Sequence, residues 1–166
     1  MRWPSFPNPV NEVAARLVAA GVVVLCLTIL ATRQAWLTIP LAYGFVARVI
    51  AGPRFSPLAL LVTKAVVPRV PVGPRLVPGP PKRFAQGIGA TLSVAALVAA
   101  ALGGRPIAFA LVGMIAAAAL LESALAFCLG CTIFAGLMRL GVIPSAVCAE
   151  CADITRRTRP AASRAH

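Results

Sequence analysis

The sequence predicts an all-α integral membrane protein, a four-helix bundle with an interfacial helix in its central loop. Three observations predict it. Of 166 residues, 60% are hydrophobic and the mean hydropathy is +0.90, far above the balance of a water-soluble domain. Four apolar runs approach the roughly 20 residues that one helical span needs. The 16 Lys and Arg residues, against four Asp and Glu, fall mainly in the gaps between those runs, where basic residues serve to orient a membrane protein. One membrane domain over residues 1–156 accounts for the length and leaves no room for a second soluble domain.

The first apolar run, residues 17–31, is entered through Val13 and Arg16 and closed by Thr32, Arg33 and Gln34, giving a span over 14–32. A cleaved signal peptide is the competing reading. The stretch before Leu17 is long and carries prolines, and no small-x-small cleavage site follows Leu30, so the run is expected to be retained. The second span, 35–51, follows so closely that the two are expected to form an antiparallel hairpin.

In the central loop, Phe55, Leu58, Leu61, Val62, Ala65 and Val66 recur at helical spacing, with Lys64 on the other side and Pro57 and Pro68 at the ends. This pattern reads as a short helix lying on the membrane interface. Residues 70–81 are rich in Pro and Gly and read as an extended connector. The third span, 85–103, ends at Gly103 and Gly104, and Arg105 with Pro106 opens the fourth, 107–127.

Apolar character continues to Leu140, which at about 1.5 Å per residue outruns a hydrocarbon layer of about 30 Å. Gly130 and Gly136 are the weakest helix formers there. The span is therefore expected to end near Phe127, followed by a shorter interfacial helix inside a cysteine-bearing segment, 128–155. Residues 157–166 read as a disordered tail.

Orientation follows from the basic residues. Arg54, Lys64, Arg69, Arg75, Lys82 and Arg83 lie in the central loop, Arg139, Arg156, Arg157, Arg159 and Arg164 in the tail, and Arg2 and Arg16 near the N-terminus. Each opposite turn has one, Arg33 or Arg105. Both termini and the central loop are expected to face the cytoplasm from the cell's inner (plasma) membrane. The net charge of +12 does not point to nucleic acid, because the basic residues share no amphipathic face and no aromatic stacking platform lies among them.

Four of the five cysteines form two CxxC pairs, Cys128 with Cys131 and Cys148 with Cys151, separated by 16 residues. Such a pair places two sulfurs within one helical turn, close enough for a disulfide or for two thiolates on one metal. Three readings stay open. The pairs are redox dithiols, with Cys128 activated at the N-terminus of a new helix. Alternatively all four thiolates clamp one zinc ion or an iron–sulfur centre, a spacing often used for such sites. The third reading is small apolar filler, the natural one for Cys26 in the first span.

Glu122 is an ionisable group inside the fourth span and so a functional candidate by default. On a regular helix it is rotated away from Cys128 and Cys131. An ion pair with Arg48 or Arg16 is its expected structural role. Small residues, among them Gly87, Gly89, Ser123 and Ala126, suit close packing of the third and fourth helices, and homo-oligomer formation stays open.

The runs Arg54-Phe55-Ser56-Pro57, Pro81-Lys82-Arg83-Phe84-Ala85-Gln86-Gly87 and Phe127-Cys128-Leu129-Gly130-Cys131 resemble domain-of-unknown-function family 4395, a group of bacterial membrane proteins. The resemblance extends from Asn11 to Asp153. It carries no established activity, but it implies association with thioredoxin-like and rhodanese-like sulfurtransferase partners. The expected function is then a thiol relay of electrons or sulfur at the cytoplasmic face. The alternative is a non-catalytic scaffold with a four-cysteine structural metal site and a basic face presented to a partner or to membrane lipid. A small-molecule transporter fits less well, since the spans hold few polar groups besides Glu122.

Overall fold

The structure, a computed structural model, describes residues 8–71 and 73–148. Cys151 and the expected disordered tail lie outside the described residues. Helix α1, Glu12–Thr32, begins where Asn11, with extended backbone, accepts a hydrogen bond from the Val13 N–H at 3.0 Å. Glu12 sits at the positive end of its dipole. The helix stops at Arg33 in the left-handed region, φ 57°. A 3-10 turn, Ala35–Leu37, leads directly into α2, Thr38–Ala51.

Gly52 ends α2 with φ 64° and ψ −143°, a conformation glycine reaches without a Cβ penalty. Ser56 then caps α3, Pro57–Leu61, accepting from the Ala59 N–H at 3.5 Å. The chain continues through a wider turn, Val62–Val66, and a 3-10 turn, Val67–Arg69. The expected apolar face of this loop divides between the bundle and its surroundings. Phe55 and Leu61 are exposed, whereas Ala59 and Val62 are buried against Val18 of α1.

A two-residue strand β1, Val10–Asn11, pairs antiparallel with β2, Leu76–Val77, placing Val10 opposite Val77. The Glu12 N–H donates to the Arg75 carbonyl at 2.7 Å, and their side chains form an ion pair at 3.2 Å. The connector ends earlier than expected, because α4, Gly79–Ala101, already contains Pro80, Pro81 and Lys82. Prolines are tolerated in the first turn of a helix, where the missing N–H would have no partner. Helix α5 is Arg105–Leu125 and α6 is Leu129–Arg139.

Four helical stretches are long and apolar enough to cross a membrane: Glu12–Thr32, Ala35–Arg69, Gly79–Ala101 and Arg105–Leu125. The second is interrupted between α2 and α3. In packing order the bundle runs α1, α5, α4, α2. Helix α1 packs chiefly on α5, α5 on α4, and α4 on α2. Although a short turn joins α1 to α2, the two touch only sparsely, so the bundle has an open seam between them. Leu58 of α3 wedges against this seam: a Cβ on Gly21 would come within 2.6 Å of its Cδ1.

The core joins Val22, Cys26 and Ile29 of α1 to Leu41, Phe45, Ala96 and Val112. Cys26 is fully buried there, the place of a filler residue. Val24, Leu27, Ile39, Val98, Met114 and Leu120 point outward, a pattern that suits lipid as the surrounding solvent.

Helix α6 folds back on α4. The Phe84 and Phe134 rings meet with centroids 5.6 Å apart. A Cβ on Gly130 would lie 2.5 Å from the Ala85 Cβ and 2.6 Å from its Cα, so only glycine permits this approach. A Gly130→Ala change must push two backbones apart, and overpacking of this kind costs about 1–3 kcal/mol. Thermal unfolding of the detergent-solubilised chain should therefore show a lower midpoint for this variant; an unchanged midpoint would mean that α6 does not pack on α4 as described.

Candidate thiol site

Helix α5 ends at Leu125 because Ala126 takes a left-handed conformation, φ 55°. This reversal returns the chain toward the bundle. It brings Cys128 into a cavity of about 100 Å³ whose lining also includes Glu122, Arg48, Gln86 and Phe45. The expectation that Glu122 is rotated away from the cysteines is thereby corrected: it assumed a regular helix, and the helix breaks between the two positions.

Cys128 is the N-cap of α6 and is only 8% exposed. Its Sγ accepts a hydrogen bond from the Cys131 backbone N–H at 3.4 Å, while its carbonyl accepts from the Thr132 N–H and Oγ1 at 3.1 and 3.2 Å. A sulfur in this position faces the free N–H groups and the positive end of an 11-residue helix. Cys131, half-buried one turn on, and Cys128 are both free thiols.

The two thiols are driven apart in acidity. Hydrogen bonding from the Cys131 side chain holds the Cys128 thiol below the ordinary cysteine range, assisted by the Lys82 charge and the Cys131 backbone N–H; burial and the Glu122 carboxylate oppose this. The same side-chain hydrogen bond, followed by burial and the negative charge on Cys128, pushes the Cys131 thiol far up. Of the two protons, the one on Cys128 is therefore the easier to lose.

Glu122 does find an ion-pair partner, but it is neither Arg48 nor Arg16. Lys82 Nζ lies 2.6 Å from Glu122 Oε1, with both side chains almost fully buried. Lys82 reaches it because α4 starts early and carries Lys82 in its first turn. Arg16 instead donates to the Ser123 and Ala124 carbonyls at the C-terminal end of α5, at 2.9 to 3.2 Å. Arg83 likewise donates to the Val49 carbonyl near the end of α2 at 3.2 Å.

Arg48 is 6% exposed and lies between the α1–α2 seam and the cavity. Its Nε donates to Gln86 Oε1 at 2.9 Å, its Nη1 to Ser56 Oγ at 3.3 Å, and its guanidinium carbon lies 4.4 Å from the Phe45 ring centroid. Lys82, Gln86 and Ser56 are the site residues that a reading of the sequence as loops and spans leaves unassigned. All three fall within the quoted runs, and the signal for Lys82 was its place one residue after two prolines.

The second CxxC is not brought beside the first by any described contact. Cys148 ends a 3-10 turn, Ser145–Cys148, is buried, and is disulfide-bonded. Among the described residues no three His, Cys, Asp or Glu side chains group as a metal site would require.

The profile of a family described as "Domain of unknown function (DUF4395)" matches residues 10–139. The matched stretch includes Cys128 and Cys131 and stops short of Cys148 and of the Asp153 limit given to the resemblance. No curated protein and no solved structure matches.

Two outcomes follow from this geometry. Lys82→Met leaves Glu122 buried without its cation and should cost about 3–5 kcal/mol, with much of the loss regained in Lys82→Met combined with Glu122→Leu. Thermal unfolding of the single and double variants checks this, and strictly additive losses would show that the two side chains do not form a pair. For the thiols, alkylation needs the thiolate, which is present above the pKa. The iodoacetamide rate at Cys128, followed by peptide mass spectrometry, should be half-maximal below the ordinary cysteine value of about 8.5, with Cys131 unmodified over that range. Cys131→Ala should move the Cys128 midpoint up; a single midpoint at the ordinary value for both thiols would refute the assignment.

Proposed function

We propose that this chain, which belongs to the DUF4395 family, is a membrane-embedded thiol protein that relays electrons or sulfur with a thioredoxin-like or rhodanese-like partner. The relay works at the basic, cytoplasmic face of a bacterial inner membrane. The observation that carries this reading is Cys128: a thiol at a helix N-terminus, made acidic by Cys131 and Lys82 beside it. A thiolate is the form that attacks sulfur.

In the exchange, the Cys128 thiolate attacks one sulfur of a partner disulfide. The partner S–S bond breaks, a mixed disulfide forms, and one partner sulfur leaves as a thiolate. Cys131 gives its proton to that thiolate and attacks the Cys128 sulfur, releasing the second partner sulfur, which takes up a proton from water. The Cys128–Cys131 dithiol is oxidised by two electrons and the partner disulfide is reduced by the same two. The reverse sequence recharges the pair. Because Cys128 is buried and Cys131 half-buried, the partner approaches the pair at the first turn of α6, which must open at the Ala126 reversal.

The alternative, a structural zinc or iron–sulfur centre held by Cys128, Cys131, Cys148 and Cys151, needs Cys148 as a thiolate. Cys148 is disulfide-bonded in this structure, and Cys151 lies outside the described residues.

Trapping tests the relay. Cys131→Ser should accumulate a mixed disulfide through Cys128 that a reductant releases, and Cys128→Ser should not. Equal trapping by both variants, or by neither, would sink the assignment of Cys128 as the attacking group. About one zinc or iron per chain, with thiols released only by a chelator, would replace the relay with the clamp.

A further inference from the structure

A second cavity, of about 190 Å³, lies at the basic end of the α1–α2 seam, between α1, the Gly52–Pro53 turn, α3 and the first turns of α4. Its polar lining is Arg48, Lys82, Gln86, Asn11 and Thr63, and no acidic side chain lines it. A volume of this size matches that of about six water molecules, ample for a small ion with part of its hydration.

Arg48 is the feature to explain. It is more than nine-tenths buried, and the groups it touches are all neutral: Gln86, Ser56 and the Phe45 ring; the Glu122 carboxylate acts on it only through its field, across the inner cavity. Those contacts engage Nε and Nη1, whereas a guanidinium carries five N–H donors on three nitrogens. The acidic side chains among the described residues are committed elsewhere, Glu12 to Arg75 and Glu122 to Lys82. A buried cation left without a contacting carboxylate is costly, and arginine is the residue whose planar fork matches an oxyanion.

We infer that this cavity is a binding site for a small oxyanion, held by Arg48 with Gln86 and Lys82 at its wall. A free inorganic anion and the phosphate of a lipid headgroup share this chemistry, and the cavity lies at the end of the bundle where either can arrive. Arg48 and Gln86 also line the inner cavity that contains Cys128, so the anion site and the thiol share a wall. That link to the thiol, unlike the binding itself, rests on the relay reading.

The test is isothermal titration calorimetry with phosphate and with sulfate. It uses the full chain in a non-ionic detergent, freed of oxyanions, with chloride at equal ionic strength as the reference. Saturable binding is expected, at least tenfold weaker in Arg48→Gln and intermediate in Arg48→Lys. Gln86→Leu keeps the charge pattern and should weaken binding severalfold, so it tests the site even where Arg48→Gln does not fold. Cys128→Ser removes the thiolate and keeps the Arg48 wall, so it should still bind saturably and no more weakly than the wild type, which separates failure of this site from failure of the relay. In nanodiscs, loss of the phosphate signal with phosphatidylglycerol but not with phosphatidylcholine would assign the site to a lipid headgroup. No saturable heat in the wild type, or equal affinity in the Arg48 and Gln86 variants, would overturn the inference.

Discussion

A carboxylate at the depth of Glu122 cannot be left alone. Removing an ion from water costs several kcal/mol even after relaxation, and the cost is recovered only by a close, well-aligned partner. Lys82 supplies that partner at 2.6 Å from the neighbouring helix, and much of the basic end follows from it. To deliver Lys82, α4 must begin before it, which places Pro80 and Pro81 in the opening turn and shortens the connector. A shorter connector in turn lies close enough to the N-terminus for β1 and β2 to pair and for Arg75 to meet Glu12.

The same end explains why α5 stops where it does. Continuing α5 as a regular helix would carry Cys128 away from Glu122. The left-handed Ala126 instead turns the chain onto α4, where Gly130 admits the Ala85 backbone and Phe134 meets Phe84. Arg16 and Arg83 hold carbonyls that the ends of α5 and α2 leave without intrahelical partners. Positive charge next to helix C-termini is favourable in its own right, so these residues stabilise the end whichever way the protein sits in a membrane.

The fold was legible because hydropathy and helix-ending residues are local signals. The four apolar helices, the break after the fourth run and the helix at Cys128 all follow from runs and from Gly or Pro positions a reader can see. The sparse packing between α1 and α2 was not legible. A short turn fixes that two helices are antiparallel, but which neighbours they prefer depends on the shapes of Gly21, Leu58 and Phe45 across the bundle. Nor was the partner of Glu122. Among the basic residues at that end, rules for orientation treat Arg16, Arg48, Lys82 and Arg83 alike, yet only Arg48 and Lys82 are buried, and that distinction arises from tertiary contacts. The second CxxC shows the opposite limit: its spacing suits a four-thiolate site, but Cys151 lies outside the described residues, and spacing alone does not say where the pair sits.

The buried charges at this end do not balance by themselves. Arg48 and Lys82 are two cations against the single carboxylate of Glu122, and the surplus positive charge lies next to Cys128. Ionising Cys128 makes the cluster neutral, which is one physical reason for the lowered pKa of that thiol beside its helix position and the Cys131 proton. On the reading developed above, an oxyanion in the outer cavity would neutralise the same surplus. Thiolate and anion would then compete for one excess charge, and the competition must be reciprocal: whatever factor the anion takes from thiolate formation, the thiolate takes from anion affinity. A cluster so arranged ties the reactivity of the sulfur to the occupancy of the cavity beside it, through charge alone and without any movement of the helices.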